Sequence, residues 1–230
     1  MQDNNVANVE FAQVGTVART NRVLRNTYML LAVSMIPTVL GAWFGVASGI
    51  DKTMLASPGL SLIVFLAGAF GFIFAIERTK NSGMGVAVLL GFTFFMGLML
   101  SRMIGMVLGM KSGGMLIGMA FGGTAVIFAG MASLATVIKR DLSGLGKFLF
   151  IGAMIVFVAM LIMVFFPIPA LMLALVVMML IIFSLYMMYD INQVVRGGET
   201  NYITATMQIY MDLFNVFQAL LALIGIGSRD

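Results

Sequence analysis

Long apolar stretches separated by short polar segments dominate the pattern along this chain. A helix needs about 20 consecutive apolar residues to cross the hydrocarbon core of a bilayer, whereas barrel strands show about 10 residues of alternation. Seven stretches of helical length can be drawn, at 27–49, 58–76, 84–108, 114–138, 148–166, 170–189 and 202–226. The pattern therefore predicts an all-α integral membrane protein, a bundle of seven transmembrane helices.

The first 26 residues are polar and precede the first span. A signal peptide has a shorter apolar core and a small-residue cleavage site, so we interpret this segment as a retained N-terminal tail. Residues 27–230 then form one transmembrane domain. Pro167 and Pro169 predict a tight turn between the fifth and sixth spans, because proline disfavours helix in the residue before it.

The distribution of Lys and Arg predicts the orientation. Nine basic residues fall on the side of the N-terminal tail, three fall on the other side and one lies in the third span. Cytoplasmic loops carry the excess of Lys and Arg, so the N-terminus is expected in the cytoplasm and the C-terminus outside, unless the seventh segment is re-entrant. On the side of the tail are Arg19, Arg22, Arg25, Arg78, Lys80, Lys139, Arg140, Lys147 and Arg196. On the other side are Lys52, Lys111 and Arg229, and the residue in the third span is Arg102.

Composition excludes several function classes. With 61% hydrophobic residues, the chain holds more apolar surface than one small soluble core can bury. It has no Cys and no His, which removes disulfides, zinc sites, thiol nucleophiles and imidazole bases. The net charge of +4 is spread over short loops and forms no patch for nucleic acid. We expect a protein that is not an enzyme, has no cofactor and binds no nucleic acid.

The fourth span opens with three glycines spaced four apart, Gly114, Gly118 and Gly122. Small residues on one helical face let two backbones approach closely in a bilayer. The spacing predicts a helix-packing face, with a flexible gate as the alternative.

Two carboxylates stand out. Asp190 follows a run from 148 to 189 that has no charge, and Asp212 lies about ten residues inside the last span. The polar link at 196–201 is rich in turn residues. Counting about 1.5 Å per residue from the centre of this hairpin puts both carboxylates at similar depth, about 15 to 18 Å from the turn. The two side chains can therefore meet across antiparallel helices.

The last span carries a polar stripe. Its members lie within about 80° of arc at 100° per residue, which predicts that this helix faces the interior of the bundle. On the sixth span, Tyr186 and Gln193 extend the face of Asp190 in the same way. The stripe consists of Thr204, Gln208, Asp212 and Asn215.

A carboxylate at membrane depth is costly and usually marks an ion or proton path. Two carboxylates in contact cannot both ionise cheaply, so they share a proton or hold a cation between them. We therefore predict that Asp190 and Asp212 sense protons and bind an ion, with Ca²⁺ needing further oxygens such as those of Gln208 and Asn215. The plainer alternative is that Asp190 only marks the membrane interface.

Arg78 has two interpretations. It ends the second span and can extend to the lipid headgroups, or it can reach the aspartates and hold a pore shut as a salt bridge. Intramembrane aspartyl proteases also use paired aspartates, one of them after Tyr, as in Tyr189-Asp190. Their Gly-x-Gly-Asp motif is absent here, because Asp212 follows Ile209-Tyr210-Met211.

The segments FSLYMMYDINQVV at 183–195 and IYMDLFNVFQALL at 209–221, with support from GGTAVIFAGMASLATVIKRDLSGLGKFL, carry a resemblance that runs over nearly the whole chain. The chain resembles the Bax inhibitor-1 family, also called the transmembrane Bax-inhibitor-motif proteins. That resemblance implies seven helices with the last one enclosed by the others. It also implies that Asp190 and Asp212 form a pH-sensitive pair governing a Ca²⁺ leak.

Three shorter segments, RNTYMLL, GGETNYI and the terminal GSRD, resemble a bacterial, YccA-like branch whose members modulate a membrane-anchored AAA protease. Two functions are therefore expected. The first is a pH-sensitive Ca²⁺ leak in a bacterial inner membrane. The alternative is an interaction protein that restrains such a protease, with the N-terminal tail as its recruitment segment.

Overall fold

A computed structural model describes residues 3–138, 140 and 142–228, with side chains from residue 19 onward except that of residue 143. Lys139 and Asp141, between the fourth and fifth predicted spans, lie outside the described residues, as does Arg229 after the last span. All regular elements in the described part are α-helices. They are α1 (Asp3–Ala47), α2 (Ile50–Ala56), α3 (Pro58–Thr79), α4 (Gly83–Leu108), α5 (Gly113–Val137), α6 (Ser143–Phe165), α7 (Pro169–Val195) and α8 (Tyr202–Gly227).

Seven of these helices are long and apolar enough to cross a membrane, namely α1 from Arg19 onward and α3 to α8. The predicted spans and the all-α class are confirmed. Helix α1 passes through the predicted boundary at residue 26 without a break, so the tail and the first span share one helix. The orientation of the termini stays a prediction.

Helix α8 is the central element. It contacts α1, α3, α4, α5 and α7, and its residues are the most buried of the seven spans. Ile203, Ile209 and Tyr210 are buried in a core cluster that also holds Phe92 of α4 and Met187 of α7. Helices α3 and α6 instead expose large apolar side chains, which suits contact with lipid.

The α7–α8 connection is fixed at both helix ends. Gly197 has a φ of +76° and donates to the Val194 carbonyl at 3.1 Å, while Gly198 donates to the Gln193 carbonyl at 2.8 Å. This is a Schellman C-cap. Asn201 caps α8, because its Oδ1 accepts hydrogen bonds from the amides of Ile203 and Thr204. Helix α7 therefore runs six residues beyond its predicted end at 189 and contains Asp190.

Asn201 also joins two connections at one end of the bundle, which we call the hairpin end. Its Nδ2 donates to the Lys80 carbonyl at 2.9 Å and to Asn81 Oδ1 at 3.0 Å. Residues 80–82, after α3, and residues 196–201, after α7, are thereby held together.

Glycines pack helices in this bundle, but the predicted ones do not. A Cβ at Gly97 of α4 would overlap the Thr38 carbonyl of α1. Nothing lies within 4 Å of the Cβ positions of Gly114, Gly118 and Gly122, which face outward from α5. Within the described residues this stripe therefore packs against no other helix of the chain, and its role in helix packing stays a prediction. Spacing shows only which residues share a face. The core lies on the opposite face of α5, which carries a buried leucine, alanine and threonine.

Helix α2 is absent from the prediction because seven residues are too few to show a helical period. Asp51 lies in its first turn, where negative charge is favourable, and is buried against Gly105 of α4. The short helix closes the end of the bundle opposite the hairpin end.

Candidate functional site

Asp190 of α7 and Asp212 of α8 meet across the two antiparallel helices. Their carboxyl groups lie within hydrogen-bonding distance of each other. They are buried, with exposed fractions of 9% and 4%. Two carboxylates in contact cannot both ionise cheaply, so this arrangement favours a proton shared between them. The structure thus brings together the two residues that the hairpin geometry placed at equal depth.

The two carboxyl groups are not equivalent. Asp212 Oδ2 is buried and has no hydrogen-bond partner in the described structure. Leaving a buried acceptor unpaired costs about 1–3 kcal/mol. The oxygen is consequently an atom to which a proton, a water molecule or a cation would bind favourably.

Tyr186 lines the pair on α7, one turn before Asp190. It interacts electrostatically with both aspartates and is partly buried. Its ring stacks on Phe183 at 6.0 Å and meets Tyr189 edge-on at 6.5 Å between centroids. Tyr189 in turn packs against Gly146 of α6. These aromatic contacts hold the Tyr186 phenol beside the carboxyl groups.

Gln208 and Asn215 lie on the polar face of α8 and are partly buried. Asn215 Nδ2 donates to the Met211 carbonyl of the same helix at 2.8 Å. This bond directs the amide nitrogen toward the helix, so the carbonyl oxygen is the group with which Asn215 can contribute to a cation site.

Tyr210 fixes α8 on the side away from the pair. Its hydroxyl shares a hydrogen bond of 2.8 Å with Thr38 of α1 and donates to the Thr93 carbonyl of α4 at 3.4 Å. Because these bonds anchor α8 two residues before Asp212, they position the more buried of the two carboxyl groups.

Arg78 lies elsewhere. It is exposed, and its guanidinium sits over the Phe74 ring, 4.8 Å from the centroid. Within the described residues no ion pair joins it to either aspartate, and the ion pair at this end is Lys80 with Glu77. The structure therefore does not bring Arg78 to the pair in this conformation.

Similarity to known proteins assigns this bundle of seven helices, with its buried carboxyl pair, to a family. A family profile described as "Inhibitor of apoptosis-promoting Bax1" matches residues 20–229. The chain belongs to this Bax inhibitor family. Both aspartates and the central α8 lie inside the matched region.

Bacterial relatives narrow the branch within the Bax inhibitor family. "Modulator of FtsH protease YccA" of Escherichia coli K12 is 34% identical over 211 residues, covering 92% of this chain and 93% of the relative. An equally similar protein of a second E. coli strain is called "Inner membrane protein YccA". An uncharacterized membrane protein of Vibrio cholerae is 35% identical over 92% of each chain. The chain is a YccA-like integral protein of the bacterial inner membrane.

The carboxyl pair of this Bax inhibitor family member cannot complete the ligand shell of a Ca²⁺ ion by itself. No group of three or more His, Cys, Asp or Glu able to hold a metal occurs among the described residues. Ca²⁺ takes about 6–8 oxygen ligands, and two carboxylates supply at most four. Water and the Asn215 and Gln208 carbonyl oxygens would have to complete the shell of a passing ion.

Sequence reasoning missed Asn192, which is fully buried two residues after Asp190. Its Nδ2 donates to the carbonyls of Ala135 at 3.0 Å and Ile138 at 3.1 Å. These carbonyls end α5 and have no partner within the helix. Asn192 therefore ties α7 to α5 beside the pair. The only sequence signal was a polar residue inside a buried helix, with nothing to name its distant partner.

Proposed function

We propose that this protein is a pH-sensitive cation leak, with Ca²⁺ as the ion and the Asp190–Asp212 pair as its gate. The contact between two buried carboxyl groups at membrane depth is the observation that supports this function most strongly. With one shared proton, the pair links α7 to α8. When that proton leaves, two negative charges in contact repel each other or attract a cation.

Proton and cation compete for the same oxygens in this scheme. Raising the pH removes the proton and favours Ca²⁺, so the Ca²⁺ concentration at half-maximal flux should fall as pH rises. The deprotonated pair also loses its hydrogen bond, which frees α7 and α8 to separate.

Reconstitution in liposomes tests the proposal. Ca²⁺ flux is measured against pH for the wild type, the double variant Asp190→Asn/Asp212→Asn and the control Glu77→Gln, which changes an exposed carboxylate at the hairpin end. The double variant should lose the pH dependence, while the control keeps it. Unchanged pH dependence in the double variant would overturn the proposal.

A second function is favoured by the E. coli relative named as a modulator of FtsH protease. We propose that this chain also binds a membrane-anchored AAA protease through the outward face of α5. Gly114, Gly118 and Gly122 leave that face open to a close approach by another membrane helix. The same face of α5 continues, after a step of three residues, through exposed residues at 125, 129 and 133.

A pair of glycines on α5 gives a matched test of this binding. Gly118→Leu should reduce co-purification of the protease several-fold. Gly130→Leu should not, because Gly130 is equally open but lies about 120° away around the helix. Equal co-purification by both variants would count against this surface.

A further inference from the structure

A third carboxylate, Glu199, lies in the connection between α7 and α8 and is partly buried. Its Oε1 accepts a hydrogen bond of 2.7 Å from the Asn201 amide. Its negative charge acts on Asp190. Glu199 is thus an acidic group held at the hairpin end, within electrostatic range of the buried pair.

Polar atoms continue from this loop to the pair along one face of α8. Thr204 and Gln208 precede Asp212 at successive spacings of four. Thr204 Oγ1 is buried and has no hydrogen-bond partner in the described structure, as is the case for Asp212 Oδ2. The two unpaired oxygens belong to residues about 12 Å apart along the helix axis. Burying polar oxygens without partners costs free energy, which an apolar helix face would avoid.

The opposite direction offers no comparable route on α8. Beyond Gln218 the helix continues to 227 with only Ala, Leu, Ile and Gly. Leu221 is fully buried there in a cluster with Val107 and Leu116. The polar face of α8 therefore connects the pair with the hairpin end and is closed by apolar packing toward the other end.

Charged groups of both signs lie near this route, because Arg196 belongs to the same connection as Glu199. Asp190 is faced by Asp212 of α8, by the Tyr186 phenol of α7 and by Glu199 of the connection. Lys80, whose carbonyl binds Asn201, has its ammonium group engaged by Glu77. A carboxylate held beside a polar route raises the local concentration of cations there.

We propose that protons and hydrated divalent cations reach the Asp190–Asp212 pair from the α7–α8 connection, with Glu199 as the first acceptor and the Thr204–Gln208 face as the route. This inference rests on the proposed cation function. Glu199 raises the local cation concentration, and Thr204 and Gln208 provide oxygens along the path to Asp212.

The absence of native Cys makes a direct test possible in the full chain. Single variants Thr204→Cys and Gln208→Cys are reacted in membrane vesicles with a cationic and an anionic thiosulfonate of similar size. Both should react with reagent applied from the hairpin end. The matched variant Ala205→Cys, fully buried on a neighbouring face, should not.

Charge selectivity then tests Glu199. Adding Glu199→Gln should slow the cationic reagent about three- to tenfold without slowing the anionic one. Adding Glu77→Gln should change neither rate. The proposal is overturned if both route positions are inert, or if the cationic rate is unaffected by Glu199→Gln.

Flux measurements separate this inference from the proposed function. Glu199→Gln should raise the half-saturating Ca²⁺ concentration several-fold and keep a pH dependence, which Asp190→Asn/Asp212→Asn removes. Absence of Ca²⁺ flux in the wild type, together with charge-selective labelling of the Cys variants, would contradict the leak and support the route. Flux with unreactive route positions would support the leak and contradict the route.

Discussion

At the scale of single residues, the pair places two buried carboxyl groups in contact and leaves Asp212 Oδ2 without a partner among the described residues. Asn at position 212 could donate a hydrogen bond from its amide to the Asp190 carboxylate, so the contact would persist without a shared proton. The stability of the wild type should depend on this proton, whereas that of the variant should not.

We predict that the wild type loses stability as the pH rises and the proton leaves, because two charges then remain in contact. The free energy of unfolding of Asp212→Asn should stay constant between about pH 5 and 9. At the high end of this range the wild type should have lost about 1–3 kcal/mol relative to the variant. Thermal unfolding in detergent across this range measures it, with Glu77→Gln as the control. Parallel profiles of wild type and Asp212→Asn would contradict a shared proton.

How much of the site follows from sequence differs between residues. Asp190 and Asp212 could be placed together because a short hairpin fixes equal depth on both helices. Asn192 could not be explained, since its acceptors lie 57 and 54 residues earlier in the chain. Arg78 could not be placed either, because a long side chain at a helix end can lie on a neighbouring ring as readily as on a carboxylate.

At the scale of helices, hydropathy locates spans but not their ends or their faces. The end of α7 is set by Gly197 and not by the first charge, so the helix carries Asp190 well inside it. Likewise, the glycine period on α5 was real, but the face toward the core could not be deduced from it. The spacing of residues fixes their relative angles around the helix axis. Contacts with neighbouring helices fix which side of the helix faces the core.

This difference predicts opposite outcomes for two glycines. Gly97→Leu places a side chain against the Thr38 backbone and should cost about 3 kcal/mol or more through overpacking. Gly118→Leu should leave the melting temperature nearly unchanged, because nothing lies within 4 Å of its Cβ position. Thermal unfolding of the two variants compares them. Similar losses at both positions would contradict the assigned rotation of α5.

At the scale of the whole molecule, the enclosure of α8 by five other helices separates the pair from lipid. The outer face of α5 lies outside this core and is open to a partner. Ion flux and protease modulation can therefore occupy different parts of one fold, since a fold alone does not fix a function.

This separation predicts the effect of deleting residues 2 to 20. Turnover of substrates of the membrane-anchored protease should change in cells, because a recruitment segment is lost. Ca²⁺ flux in liposomes should keep its pH dependence, because the pair remains enclosed. Turnover that matches the full-length chain would argue against a recruiting role for the N-terminal segment.

The shared proton itself is the claim on which the proposed gate depends, and infrared spectroscopy detects it directly. The difference spectrum between the wild type and Asp190→Asn/Asp212→Asn at neutral pH isolates the carboxyl stretch of a protonated aspartic acid. We predict a protonated-carboxyl band in the wild type that disappears in the double variant and, in the wild type, shifts in D₂O. A spectrum with only ionised carboxylate bands from the two residues would contradict the account.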